Sequence, residues 1–150
     1  IGEGPVEKDI KAKIDNEGVE NVVLLGYKTK QELGREIANS MFVVLPSEWY
    51  ENNPRSVIEG FAYGKPVVGS RIGGIVEMVK DDVTGLTFEP GNSEDLHMKI
   101  EYLASNPSKI IEMGKSARLV AEKEFSGQRH YDGLMEIYNQ AINSLAARKA

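Results

Sequence analysis

Apolar residues fall along this chain in two alternating rhythms. Val6, Ile10 and Ile14 recur every four residues among Glu7, Lys8, Asp9, Lys11 and Lys13, which predicts a helix with one apolar stripe, ended by Asn16 and Gly18. Val22-Val23-Leu24-Leu25, closed by Gly26, is a short continuous apolar run and predicts a buried strand. Leu33, Ile37 and Ala38 predict a helix over residues 29–40. Met41-Phe42-Val43-Val44-Leu45 predicts a second buried strand, stopped by Pro46 and followed by a polar loop from Ser47 to Asn53. Pro54 opens the next helix, where its missing N–H is harmless, with Asn53 as the N-cap. Val57, Ile58, Phe61 and Ala62 form its buried face, and Gly64 stops it. Pro66 to Ser70 reads as a third strand, Gly73-Gly74 as the entry to a short helix carrying Ile75, Val76 and Val79, and Leu86-Thr87-Phe88 as a fourth strand after a turn at residues 81–85.

From Asn92 onward the pattern is helical. Asn92 or Ser93 caps one helix through about Ser105, Pro107 starts another that ends near Ser126-Gly127, and a last helix runs from about Gln128 to Ala147, so the final helices span 107–147. The stretch from Ser144 to Ala150 reads as polar and frayed. Strands alternating with helices predict an α/β fold: a Rossmann-like parallel sheet flanked by helices on both faces, with right-handed crossovers. Ligands of such sheets sit at the carboxyl ends of the strands. Three loops fall there: Gly26-Tyr27-Lys28, Pro46 to Asn53, and Ser70 to Gly74.

Composition narrows the function. The 150 residues carry 18 basic and 23 acidic side chains, a net charge of −5, with no basic run, which disfavours nucleic acid as a partner. Without cysteine there is no disulfide, zinc–thiolate site or thiol catalysis, a usage compatible with the cytosol. No apolar run reaches the roughly 18 residues of a membrane span, and Ile1-Gly2-Glu3-Gly4-Pro5 lacks the pattern of a signal peptide. Ile1 followed by this glycine-rich turn reads as the end of a buried strand. A piece of a longer protein is therefore expected, with the rest of that strand upstream.

Glu51 and Glu59 lie eight positions apart. With glutamate so common here that spacing means little alone, but the context is specific. Glu51 sits in a loop after a strand, and Glu59 sits one turn inside the following helix. The N–H groups from about Arg55 to Val57 at the start of that helix are free and carry a partial positive charge, a ready phosphate site. Carboxylates before and after an anion site match a ligand with hydroxyls on both sides of a phosphate, such as a diphosphate between two sugars.

Several motifs in series then carry a resemblance. Pro46-Ser47, Glu51-x7-Glu59, Ala62-x-Gly64-Lys65-Pro66-Val67-Val68, Gly73-Gly74-Ile75-x-Glu77, Thr84-Gly85-Leu86 and Pro90-Gly91 occur in the order found in retaining glycosyltransferases of the GT-B fold, family four. Gly2-x-Gly4-Pro5, Val23-x-Leu25-Gly26-Tyr27, Phe125-Ser126 and Tyr138 extend the match over nearly the whole chain, which is similar to the C-terminal, donor-binding domain of that family.

The resemblance implies that residues 1–150 form a nucleotide-sugar-binding domain whose first strand and helix, and the N-terminal acceptor domain, lie upstream. It implies transfer of a hexose (mannose, glucose or N-acetylglucosamine) from a nucleotide diphosphate with retention at the anomeric carbon, without metal or other cofactor. Glu51 would face the donor sugar and serve catalysis. Asn52, Asn53 and Pro54 would belong to the donor-binding loop, the N–H groups of Arg55 and Ser56 would hold the diphosphate, Glu59 would bind the ribose, and Gly26, Tyr27 and Lys28 would line the base. Asn52 and Gly60 replace the family's Gly and Ala after the two glutamates. The implied location is the cytoplasm, with peripheral contact to the inner membrane face for the full protein. A non-catalytic nucleotide-sugar-binding module and, less well matched, a GT-B nucleotide-sugar epimerase are the other readings.

Plainer readings apply elsewhere. Asp81-Asp82 is a turn rather than a metal site, and His97 and His130 are surface or packing residues. Lys28, Arg55 and Arg71 are solvated side chains. Trp49 and Tyr50 either border the sugar or anchor their loop, and Gly73-Gly74 either let the chain approach the donor or simply make a tight turn.

Overall fold

A computed structural model describes residues 1–147. The chain divides into two compact units, Ile1–Asn39 and the part from Ser40 on. The first unit holds α1 (Glu7–Glu17) and α2 (Lys30–Asn39). The expected helices are present, but the stripe of α1 is not a core face: no residue of α1 is buried, and Val6 and Ile10 are exposed. The expected strand at residues 22–25 is absent. Val22, Val23 and Leu24 lie exposed in irregular chain, because this unit contains no second strand and a ladder needs a partner for its N–H and C=O groups. At the start of α2, the Thr29 hydroxyl and N–H both donate to the Glu32 carboxylate, at 2.7 and 2.9 Å. This is a capping box, and its Thr29 hydroxyl bond is the main cause holding the Glu32 carboxyl below its ordinary range.

The second unit is built on a parallel sheet of β1 (Val43–Leu45), β2 (Val67–Ser70) and β3 (Gly85–Phe88), in that order. Val43 pairs with Val67, and Val67 in turn with Gly85. The helices are α3 (Arg55–Ala62), α4 (Gly74–Met78), α5 (Ser93–Ala104), α6 (Pro107–Glu124) and α7 (Gly127–Ala147). Adjacent residues of β2 point to opposite faces and seed two cores. Val67 joins Val57, Phe61, Ile75, Val79 and Ala117, while Val68 joins Leu86, Phe88, Leu103 and Met113. Both faces are therefore covered, as continuous apolar strands require. β1 is shorter and less buried than expected: it is an edge strand within this unit, so Val44 and Met41 are exposed. Asn92 is the cap of α5, its side chain accepting from the N–H groups of Glu94 and Asp95. α7 reaches Ala147; the rest of the frayed tail expected from Ser144 on, residues 148–150, lies outside the described residues. Among the described residues no helix is long and apolar enough to cross a membrane.

The turn that follows α3 packs on α6 where Gly64 meets Gly114. A Cβ on Gly114 would stand 2.3 Å from the Gly64 carbonyl oxygen, whereas one on Gly133 in α7 would meet nothing within 4 Å. Gly114→Ala therefore gains about 1 kcal/mol of helix propensity but forces two backbones apart, at roughly 1–3 kcal/mol or more. Its denaturation midpoint should fall while that of Gly133→Ala rises; equal midpoints for the two variants would contradict this packing. A second expectation concerns pH. Because the folded Glu32 carboxyl titrates below its unfolded value, its contribution to α2 is present above the ordinary value of 4.5 and is lost as pH falls through the lower, folded value. Carboxyl NMR titration should show Glu32 returning to the ordinary range in Thr29→Ala; an unmoved titration would reject the box.

Candidate functional site

The loop between β1 and α3 leaves the carboxyl end of β1, beside the loop that leaves β2. Parallel pairing of Leu45 with Gly69 sets the two loops side by side. Their contact is direct: the Gly74 N–H donates to the Glu51 carbonyl at 2.6 Å. Gly73 has φ 53° and ψ −144°, a conformation that side chains disfavour, and a Cβ there would lie 2.6 Å from the Glu51 carbonyl oxygen. A Cβ on Gly74 would lie 2.4 Å from the Asn52 carbonyl oxygen. The Glu51 N–H donates to the Trp49 carbonyl at 2.9 Å, and the Ser47 hydroxyl donates to Glu51 Oε1 at 2.9 Å. The half-buried Glu51 is thus held through its N–H, its C=O and one carboxylate oxygen.

The start of α3 differs from expectation in one respect. Asn53 is not the N-cap. Pro54 occupies that position in an extended conformation (φ −70°, ψ 97°), and no side chain caps the helix, because the first helical residue is Arg55. The Val57 N–H turns back to the Pro54 carbonyl at 3.0 Å, so the free donors are those of Arg55 and Ser56 and not the expected set through Val57. Pro54 itself is buried, while Asn52, Asn53, Arg55 and Ser56 are exposed. Glu59 lies one turn further, half-buried, with Arg55 Nη2 at 3.7 Å from its Oε1. That pair is too exposed to hold Glu59 firmly.

Gly26, Tyr27 and Lys28 lie in the first unit, ahead of α2. The Gly26 carbonyl accepts from the Gly2 N–H at 2.9 Å, and the Tyr27 side chain is exposed. Trp49 and Tyr50 are 79% and 85% exposed, so neither anchors its loop. Arg71 is exposed and its Nε donates to the Thr87 hydroxyl. Asp81 and Asp82 form a turn: the Asp81 carboxylate accepts from Thr87, and Asp82 takes φ 59°. His97 and His130 are exposed, His97 lying 3.7 Å from Glu101. Sequence reasoning did not foresee the Ser47–Glu51 bond. The two residues are four apart in a loop without periodicity, and only the fold makes that spacing a contact.

Comparisons with known proteins identify the family and the fold. The pattern of the family described as glycosyl transferases group 1 matches residues 1–120. Over 140 residues the chain is 31% identical to an uncharacterised glycosyltransferase of Methanocaldococcus jannaschii, covering 93% of this chain and 39% of that protein. Anabaena HepE, solved with UDP and glucose and also with UDP-glucose, superposes with a TM-score of 0.74 at 26% identity, over 93% of this chain and 36% of that one. Sucrose-phosphate synthase of Thermosynechococcus elongatus shares the fold at a TM-score of 0.82 and 23% identity, over 95% of this chain and 37% of that one. The chain thus spans well under half the length of these relatives. Its fold is the Rossmann-like α/β architecture of GT-B glycosyltransferases, and the chain belongs to the glycosyl transferases of group 1.

Proposed function

We infer that this chain supplies the donor-binding half of a retaining glycosyltransferase of family four, which moves a hexose from a nucleotide-diphosphate sugar to an acceptor. The observation that carries the reading is the pairing of a firmly held carboxylate, Glu51, with the uncapped start of α3. The N–H groups of Arg55 and Ser56 are oriented donors for a diphosphate, and the dipole of α3 adds to them. As the glycosidic bond breaks, negative charge grows on the leaving phosphate. Donors already in place stabilise that charge without reorganisation. Glu51 accepts from hydroxyls of the donor sugar, and Glu59 from the ribose. Asn52, Asn53 and Pro54 form the turn between sugar and phosphate. The acceptor is bound by an N-terminal domain of the same protein, in the cytoplasm or at the inner membrane face. The complexes of HepE with UDP and UDP-glucose support a nucleotide sugar as ligand.

Calorimetric titration of UDP, GDP and ADP into the chain tests this reading. One nucleotide should bind, and Glu59→Ala should weaken it about tenfold or more, the loss of a charged hydrogen bond. Equal binding by the variant would remove Glu59 from the ribose, and binding of none of the three would remove the nucleotide site.

A further inference from the structure

We propose that Ser47 and the Gly73-Gly74 turn are positioning residues for Glu51, which set the affinity for the donor's sugar without touching its nucleotide. This rests on the sugar-facing role of Glu51 inferred above. A glutamate in a surface loop has free side-chain torsions and a mobile backbone, and both must be restrained before its carboxylate can discriminate hydroxyl positions. Here the restraint comes from two directions. The Ser47 hydroxyl has one proton and gives it to Glu51 Oε1 at 2.9 Å, which orients the carboxylate and leaves Oε2 as the acceptor for a ligand hydroxyl.

The backbone of Glu51 is fixed from the neighbouring strand's loop. The Gly74 N–H reaches the Glu51 carbonyl at 2.6 Å, and the approach is open only because residues 73 and 74 carry no Cβ. An alanine at either position would press on the Glu51 or Asn52 backbone and move the loop that carries the carboxylate. The glycine pair therefore does more than turn the chain: it is the surface on which the Glu51 loop rests. Ser47 bonds only the Glu51 carboxylate, so its loss should be felt at the sugar and not at the nucleotide, whereas an alanine at 73 or 74 also shifts the chain that leads into Arg55.

The test compares a nucleotide sugar with its parent nucleotide by calorimetry, using UDP-glucose with UDP, GDP-mannose with GDP and ADP-glucose with ADP. The readout is the ratio of the two affinities within the pair that binds. In Ser47→Ala and Gly73→Ala that ratio should fall about threefold to tenfold, as expected for loss of one positioned hydrogen bond. It should fall as far or further in Glu51→Ala, and in Ser47→Ala affinity for the parent nucleotide should stay at the wild-type value. Ser47→Thr, which keeps a hydroxyl, should retain the wild-type ratio. Ser47→Ala keeps the test decisive if the glycine variant fails to fold. A wild-type ratio in Ser47→Ala together with a reduced one in Glu51→Ala overturns the positioning role and leaves the role of Glu51 standing. A wild-type ratio in Glu51→Ala overturns the sugar-facing role itself, and the positioning role with it.

Discussion

The hydrogen bond from the Gly74 N–H to the Glu51 carbonyl is the constraint on which the candidate site depends. It exists because β1 and β2 are parallel neighbours, so that the chain leaves both at the same end and the two loops run side by side. The sheet in turn is fixed by cores on both of its faces. Val67 and Val68, adjacent in β2, bury in opposite directions and are both fully enclosed. A shift of β2 by one residue would exchange these faces, so the register that builds the core is also the register that brings Gly74 to Glu51. Stability and site geometry share one cause.

The second ingredient is an unfinished helix. Pro54 begins α3 with no N–H of its own to satisfy and no side chain able to cap the next residues. A helix start left in this state normally costs stability, since Ser, Thr, Asp or Asn at the cap contributes about 1 kcal/mol. α5 shows the ordinary solution in the same unit, with Asn92 bonded to two N–H groups. The contrast has a chemical consequence. The donors of Arg55 and Ser56 stay available to an anion, while Phe61 and Val57 on the buried side of the helix keep it folded. In the proposed reaction the diphosphate completes the cap.

Much of this was legible in the sequence, and the misses have physical reasons. The helices were readable because Pro107, Asn92 and Gly64 mark their ends and their apolar spacing is regular. Strands β2 and β3 were readable because both faces are buried, so that Val67-Val68 follows Pro66 as an apolar pair and Leu86 and Phe88 bracket only Thr87. Val22 to Leu25 has the same composition yet forms no strand, since a strand is a property of a pair and its own unit provides no partner. The two glutamates and the loop between them could be found by spacing and context. Asn53, a good capping residue next to proline, reads as the cap in the sequence, whereas the backbone makes proline itself the boundary. Ser47 and the glycine pair could not be assigned to Glu51 at all. Strand order alone brings the glycine pair to Glu51, and the fold of a loop without periodicity brings Ser47 to it.

A crystal structure of the chain soaked with UDP-glucose, GDP-mannose or ADP-glucose tests the account most directly. The account places phosphate oxygens within hydrogen-bond reach, about 3 Å, of the Arg55 and Ser56 nitrogens, with a sugar hydroxyl on Glu51 Oε2 while Ser47 keeps Oε1. Density for the ligand at another part of the surface, with the start of α3 occupied only by solvent, would contradict it.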